Sequence, residues 1–252
     1  MLNIAKNTFK EIVRNRFLYL IVFFACIFIV FTLALGKLTI GESERVIVDF
    51  GLGMIEIFWI IGVLFVGSQL LFKEIEGKTI FLILSKPISR QDFLLGKYFW
   101  FSGAIFLIVF FQALVFLILL LLSQITITSL IIWSLIFTFL KLQILLAIVF
   151  FLSTFMSHIM SIMIALMVYL ISHSFSLILD LFSKLEESMF FAVQILQLFF
   201  PPLQALNTKD VIGSFSDFPL NYFLFNSIYS MMYITIILFF ALQIFSRKTF
   251  EE

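Results

Sequence analysis

The sequence predicts an all-α membrane protein with six transmembrane helices. Of its 252 residues, 63% are hydrophobic and only 12% are charged, and a soluble domain of this length could not bury so much apolar surface. Crossing a bilayer takes roughly 20 apolar residues of helix. Six stretches meet this requirement: residues 17–36, 50–72, 98–122, 130–152, 159–179 and 222–245. Their continuous apolar character excludes an outer-membrane barrel, in which apolar and polar residues alternate.

The segment before the first span, residues 1–16, is predicted to form an amphipathic helix. Lys6, Lys10 and Arg14 are four residues apart and flank an apolar face that includes Phe9. This pattern is typical of helices that lie along a membrane surface. It fits an elbow that docks a partner as well as it fits a simple anchor.

Basic residues in the short flanking loops predict the orientation of the spans. With the N-terminus in the cytoplasm, eleven of the sixteen Lys and Arg residues lie on the cytoplasmic side, four lie outside and one, Lys141, lies within a span. Cytoplasmic loops carry such an excess of positive charge. We therefore expect a multi-pass protein of the cytoplasmic membrane, with both termini in the cytoplasm.

The predicted spans belong to a single transmembrane domain, residues 1–252, with two notable connections. The segment 73–97 is a cytoplasmic loop between the second and third spans. The segment 180–221 is external, between the fifth and sixth spans, and its helical pattern breaks at Pro201-Pro202. Because this external region is apolar, we expect short helices that dip back into the outer leaflet.

Two ionisable residues fall inside predicted spans, Glu56 in the second and Lys141 in the fourth. Charged groups in hydrocarbon are costly and usually mark a pairing or a pathway. A long lysine side chain could reach the glutamate if the two helices touch. A structural ion pair is favoured over the polar lining of a substrate route, because one pair makes a poor channel.

The spacing of the candidate residues excludes the catalytic and metal-binding motifs that they resemble. Gly77-Lys78-Thr79 resembles the end of a phosphate-binding loop, but Phe72 stands where that loop requires a glycine. The two histidines, His158 and His173, are 15 residues apart at opposite ends of the fifth span, too far for a shared metal site on one helix. We therefore predict no catalytic residue, no metal ligand and no cofactor bound by this chain.

The cytoplasmic loop carries the most specific pattern. Pro87 ends one helical segment, and Ser89 with Asp92 three residues later can cap the next. Apolar residues such as Leu84 lie between the charged ends of the loop. These features predict a compact surface for docking another protein, although an ordinary connection between two spans could share them.

This loop resembles the loop between the second and third spans of ATP-binding-cassette type-two permeases, especially the branch that includes the permease of nitrous-oxide-reductase maturation. The matching residues are Glu74, Glu76, Gly77, Thr79, Leu84, Ser85, Lys86, Pro87, Ser89, Arg90, Gly96 and Lys97. The likeness also covers the amphipathic start, the six spans and the external stretch, but only the loop motif is specific. It assigns no role to Glu56 or Lys141.

The resemblance implies the transmembrane permease subunit of a transporter, an exporter driven by a separate cytoplasmic ATPase that would carry ATP and Mg. Further implied partners are a second permease copy or a paralogue and membrane lipid, with no nucleic acid. The implied ATPase-coupling residues are Glu74, Glu76, Gly77, Thr79, Leu84, Ser85, Pro87, Ser89 and Arg90. The alternative is a non-transporting membrane scaffold or immunity protein, which would share the hydropathy without docking an ATPase.

Overall fold

The computed structural model describes residues 43–77, 89–182, 203–209 and 219–247, with single positions between 23 and 36 and between 191 and 201. Its elements are helical throughout, and this part of the chain contains no strand. The helices are α1 (Ser43–Gly62), α2 (Ser68–Glu76), α3 (Arg90–Leu122), α4 (Ser129–Ser153), α5 (His158–His173), α6 (Phe175–Phe182) and α7 (Leu220–Arg247). The all-α class predicted from the sequence is confirmed for these residues.

Four helices are long and apolar enough to cross a membrane: Glu44–Glu74, Arg90–Leu122, Ser129–Ser153 and Leu220–Arg247. They correspond to the predicted second, third, fourth and sixth spans. The described positions of the predicted first span are helical, but they are too few to define its length. The six-span count therefore stays a prediction, and the elbow at residues 1–16 lies outside the described residues.

The predicted fifth span, residues 159–179, is divided in the structure. Helix α5 ends at His173, and Ser174 separates it from the short helix α6. The Ser174 N–H group donates to the carbonyls of Leu170 and Ile171, which closes the last turn. The single-residue break falls within an apolar run, so hydropathy alone could not reveal it.

Helices α1 and α2 form one rod, joined by a π-helical turn at Val63–Gly67. Gly67 lies where the rod approaches α3 and α4 closely, since a β-carbon there would stand 3.1 Å from Leu146 of α4 and 3.3 Å from Phe101 of α3. Small residues let membrane helices pack at such short range. Turns of the π type are frequent at functional sites, and this one lies between the two polar sites described below.

Helix α4 is the centre of the bundle. In its most apolar 18-residue window 83% of the residues are buried, compared with 28% in α3 and in α7. It contacts α1, α2, α3, α5 and α7, so almost all of its faces are covered by protein. The outward faces of α3 and α7 instead expose large apolar side chains such as Phe99, Phe111 and Phe225, as lipid contact requires.

Candidate functional site

The first polar site is a buried ion cluster around Glu56. The Glu56 Oε1 atom accepts a hydrogen bond from Lys141 Nζ at 2.9 Å and another from the Tyr169 hydroxyl at 2.7 Å. Its other carboxylate oxygen, Oε2, pairs with Lys209 Nζ. Glu56 is 3% exposed and Lys141 is 1% exposed. We call these four residues the Glu56 cluster; they join α1, α4, α5 and the segment that precedes α7.

That preceding segment, residues 203–209, enters the bundle. Leu203, Leu206 and Thr208 are each only 1% exposed. The hydroxyl groups of Thr208 and Ser134 in α4 are 2.7 Å apart, and the Tyr222 hydroxyl in α7 donates to the Ala205 carbonyl at 2.7 Å. Residues 203–209, which we call the inserted segment, therefore bind to the bundle at several points besides the Lys209 ion pair.

The second polar site joins the two ends of the predicted cytoplasmic loop. Lys97, in the second turn of α3, is 1% exposed. Its ammonium group pairs with Glu74 Oε1 at 2.6 Å and donates to the Leu70 carbonyl at 2.8 Å, both in α2. The same ammonium group lies 5.4 Å from the centre of the Phe93 ring, a favourable cation–π distance. A buried lysine with these partners fixes α2 against α3.

Contacts at the start of α3 extend this site to α7. Arg90 donates from Nη1 to the Ser246 carbonyl at 3.2 Å, near the C-terminal end of α7, where cations are favoured by the helix dipole. The rings of Phe93 and Phe245 stack with centroids 6.0 Å apart. We call Glu74, Arg90, Phe93, Lys97 and Phe245 the loop junction.

The two sites lie at different levels of the bundle. The residues of the loop junction come from the ends of helices that the sequence places in the cytoplasm, and His158 at the start of α5 stacks on Phe72 at the same level. The Glu56 cluster and the inserted segment lie farther from the cytoplasmic end. Glu56 falls in the outer half of the predicted second span, and Lys141 falls at the midpoint of α4. The rod formed by α1 and α2 carries Glu56 at one site and Glu74 at the other.

The sequence of the chain matches a known protein family. A family model described as ABC-2 family transporter protein matches residues 2–250. The chain belongs to the ABC-2 transporter family. Comparison with curated proteins gave no match.

Membership in the ABC-2 family makes the chain a permease subunit of an ABC transporter. It is a multi-pass membrane protein, and its family is a membrane transport component that is not itself catalytic. The family also implies an ATP-binding-cassette ATPase as partner.

Some site residues of this ABC-2 permease were predicted from the sequence. The structure brings Glu56 and Lys141 together, as the sequence suggested it could. The predicted cap is confirmed: the Ser89 hydroxyl accepts from the Asp92 N–H at 3.0 Å at the start of α3. Glu76 and Gly77 are exposed at the end of α2, where a partner could reach them.

Other predicted residues lie outside the described part of the chain. They are Thr79, Leu84, Ser85 and Pro87 of the loop and Lys6, Phe9, Lys10 and Arg14 of the elbow. The coupling role of all the predicted residues, described or not, stays a prediction. The helices also extend into the predicted loop 73–97, because α2 runs to Glu76 and α3 starts at Arg90. Charged turns at helix ends lower local hydropathy without ending the helix.

Sequence reasoning missed three partners in these sites. Tyr169 carried no signal, since one tyrosine in an apolar helix does not show where its hydroxyl points. Lys209 falls in the predicted external region, and Lys97 belongs to the loop motif, but nothing in the motif pairs it with Glu74. The signal that could have identified Lys97 is its spacing from Glu74 across a short loop between two antiparallel helices.

Proposed function

We propose that this ABC-2 permease is the membrane half of an exporter whose energy comes from a separate cytoplasmic cassette ATPase, which binds ATP and Mg. The observation that carries this proposal is the Glu74–Lys97 ion pair, 2.6 Å long and largely buried. It ties together the two helices between which the predicted coupling loop runs. A push on that loop would therefore move α2 and α3 together instead of bending the loop alone.

The proposed route of force continues from the loop to the rest of the bundle. Arg90 and Phe93 bind the end of α7, so a displacement of α3 would also reach that helix. The rod of α1 and α2 would carry the displacement toward Glu56. Coupling of this kind requires the ATPase to contact two conformations of the permease with different affinity.

Several finer assignments belong to the same proposal. The match of residues 74–97 to the permease of nitrous-oxide-reductase maturation supports placing the chain in that branch. We propose a second permease copy or a paralogue as the other membrane half, with lipid around both. The excess of Lys and Arg on one side supports a cytoplasmic-membrane location with both termini in the cytoplasm.

The direct test is ATPase stimulation in proteoliposomes that hold the permease and the cassette ATPase with which it copurifies. Lys97→Met and Glu74→Gln should each lower the permease-stimulated ATPase rate about fivefold or more, the size of a typical coupling between sites. Glu76→Gln tests the exposed end of the loop in the same assay. Arg45→Gln is the control, because its exposed pair with Asp49 lies at the opposite end of the rod.

Copurification of the ATPase separates lost docking from lost coupling. The proposal expects Lys97→Met to retain the ATPase while losing stimulation, since Lys97 is buried and cannot touch a partner directly. Full stimulation by Lys97→Met and Glu74→Gln, with normal copurification, would contradict the loop junction as the transmitter. A permease that never retains a cassette ATPase would contradict the proposed function as a whole.

A further inference from the structure

The Glu56 cluster has a composition that a purely structural ion pair does not need. The pair of Glu56 and Lys141 is already complete within the bundle, with both side chains almost fully buried. Tyr169 adds a donor to the same carboxylate oxygen. Lys209 adds a second cation from a segment outside the long helices, and its side chain is 14% exposed, compared with 1% for Lys141.

The position of Lys209 in the chain makes it different from the other cluster members. Glu56, Lys141 and Tyr169 belong to helices packed along much of their length, so they cannot separate without opening the bundle. Lys209 instead lies in the inserted segment, which belongs to none of the long helices. Its release would therefore not require the long helices to separate.

Two further bonds that tie the inserted segment to the bundle join neutral groups. They are the hydroxyl contact of Thr208 with Ser134 and the bond from the Tyr222 hydroxyl to the Ala205 carbonyl. Hydrogen bonds between neutral groups contribute less than bonds to charged groups. Among these three bonds, the ion pair with Glu56 is therefore the one whose loss would most favour release of the segment.

We propose that Lys209 and Glu56 form a releasable latch that holds the inserted segment in the bundle, and that opening of this latch is a step of the transport cycle. In transport, Glu56 and Lys209 would then act by positioning the inserted segment. Glu56 stays paired with Lys141 and keeps the hydrogen bond from Tyr169 when the latch opens, so no isolated charge remains among the helices. The first half of the proposal concerns the chain alone, and the second half rests on the proposed function.

The first half is tested by cysteine labelling of the permease without ATPase. Cys26, which is exposed, is replaced by serine, and Ser134→Cys then places a thiol under the inserted segment at a position only 2% exposed. A membrane-impermeant maleimide should label this thiol slowly. Lys209→Gln should raise the labelling rate about tenfold or more, as expected for loss of a bond to a charged group, whereas Lys209→Arg, which keeps the charge, should leave it slow.

A second thiol controls for general unfolding. Ser161→Cys in α5 lies at a fully buried position away from the inserted segment and should stay unlabelled in Lys209→Gln. An unchanged Ser134→Cys rate in Lys209→Gln would overturn the latch. Equal exposure of both thiols would overturn it as well, because Lys209 would then hold the whole bundle and not one segment.

The second half is tested in the complex with the cassette ATPase. ATP should raise the labelling rate of Ser134→Cys about fivefold or more with Lys209 intact. A Ser134→Cys/Thr208→Cys disulfide should lock the segment and abolish stimulated ATPase activity until a reductant is added. Normal ATPase stimulation with the disulfide formed would overturn release of the segment as a step of the cycle. Failure of the permease to bind or stimulate the ATPase would instead overturn the proposed function. That failure would not affect the first half of the proposal, which concerns the permease without ATPase.

Discussion

At the scale of single residues, Glu56 shows what an apolar sequence reveals and what it hides. A charge within a long apolar run is visible without any structure, and its cost in hydrocarbon predicts a partner. Lys141 was the obvious partner because it is the other charge within a span. Tyr169 and Lys209 are 113 and 153 residues away from Glu56, and only the path of the folded chain brings them to it.

Loss of a buried partner should cost far more stability than loss of an exposed one. We expect Lys141→Met to lower the free energy of unfolding by about 3 kcal/mol, because breaking a buried ion pair leaves a charge without one of its partners. Arg45→Gln removes one member of the exposed pair with Asp49, in which the side chains are 53% and 41% exposed, and should cost under about 1 kcal/mol. Unfolding titrations with SDS in mixed micelles measure both changes in the free energy of unfolding. Equally small losses for the two substitutions would contradict the stabilising role of the buried ion pair.

At the scale of elements, the sequence predicted the start of α3 well because capping depends on local contacts. Ser89 and Asp92 are three residues apart, and the structure shows the predicted bond between them. The π turn at Val63–Gly67 and the break at Ser174 were not predicted, since neither changes the hydropathy. Both depend on how a helix packs against its neighbours, which no local pattern records.

The cap of α3 offers a matched comparison of two serines. Ser89 and Ser157 both precede helices as N-cap residues, but only the Ser89 side chain bonds to its helix. Ser89→Ala should therefore lower the free energy of unfolding by about 1 kcal/mol. Ser157→Ala should leave it within about 0.5 kcal/mol, the usual range for substitutions away from such features. Equal losses in the same SDS titration would show that the Ser89 cap contributes nothing specific.

Two glycines of the α1–α2 rod should respond in opposite directions to alanine. A β-carbon at Gly67 would press on Leu146 and Phe101, whereas one at Gly53 would meet no atom within 4 Å. Gly67→Ala should cost about 1–3 kcal/mol through overpacking, and Gly53→Ala should be neutral or stabilise by up to about 1 kcal/mol through helix propensity. A stabilising effect of Gly67→Ala in thermal unfolding would show that the rod and α4 have room to adjust.

At the scale of the whole molecule, the α1–α2 rod connects the loop junction to the Glu56 cluster. Glu74 and Glu56 are 18 residues apart, about 27 Å along a helix that rises roughly 1.5 Å per residue. A single continuous rod thus reaches from the predicted ATPase-docking end to the latch. The helical class and four of the spans followed from the sequence, but this connection did not, because it depends on which helices contact each other.

The central claim is that the cytoplasmic loop docks a separate ATPase, and site-specific crosslinking tests it most directly. In the Cys26→Ser background, Thr79→Cys places a thiol in the predicted coupling loop, and Thr126→Cys places one in the exposed turn between α3 and α4, at the opposite end of the bundle. A thiol-reactive photocrosslinker in native membranes should join the cassette ATPase to Thr79→Cys and not to Thr126→Cys. A crosslink from Thr126→Cys, or none from Thr79→Cys while the ATPase copurifies, would contradict the account.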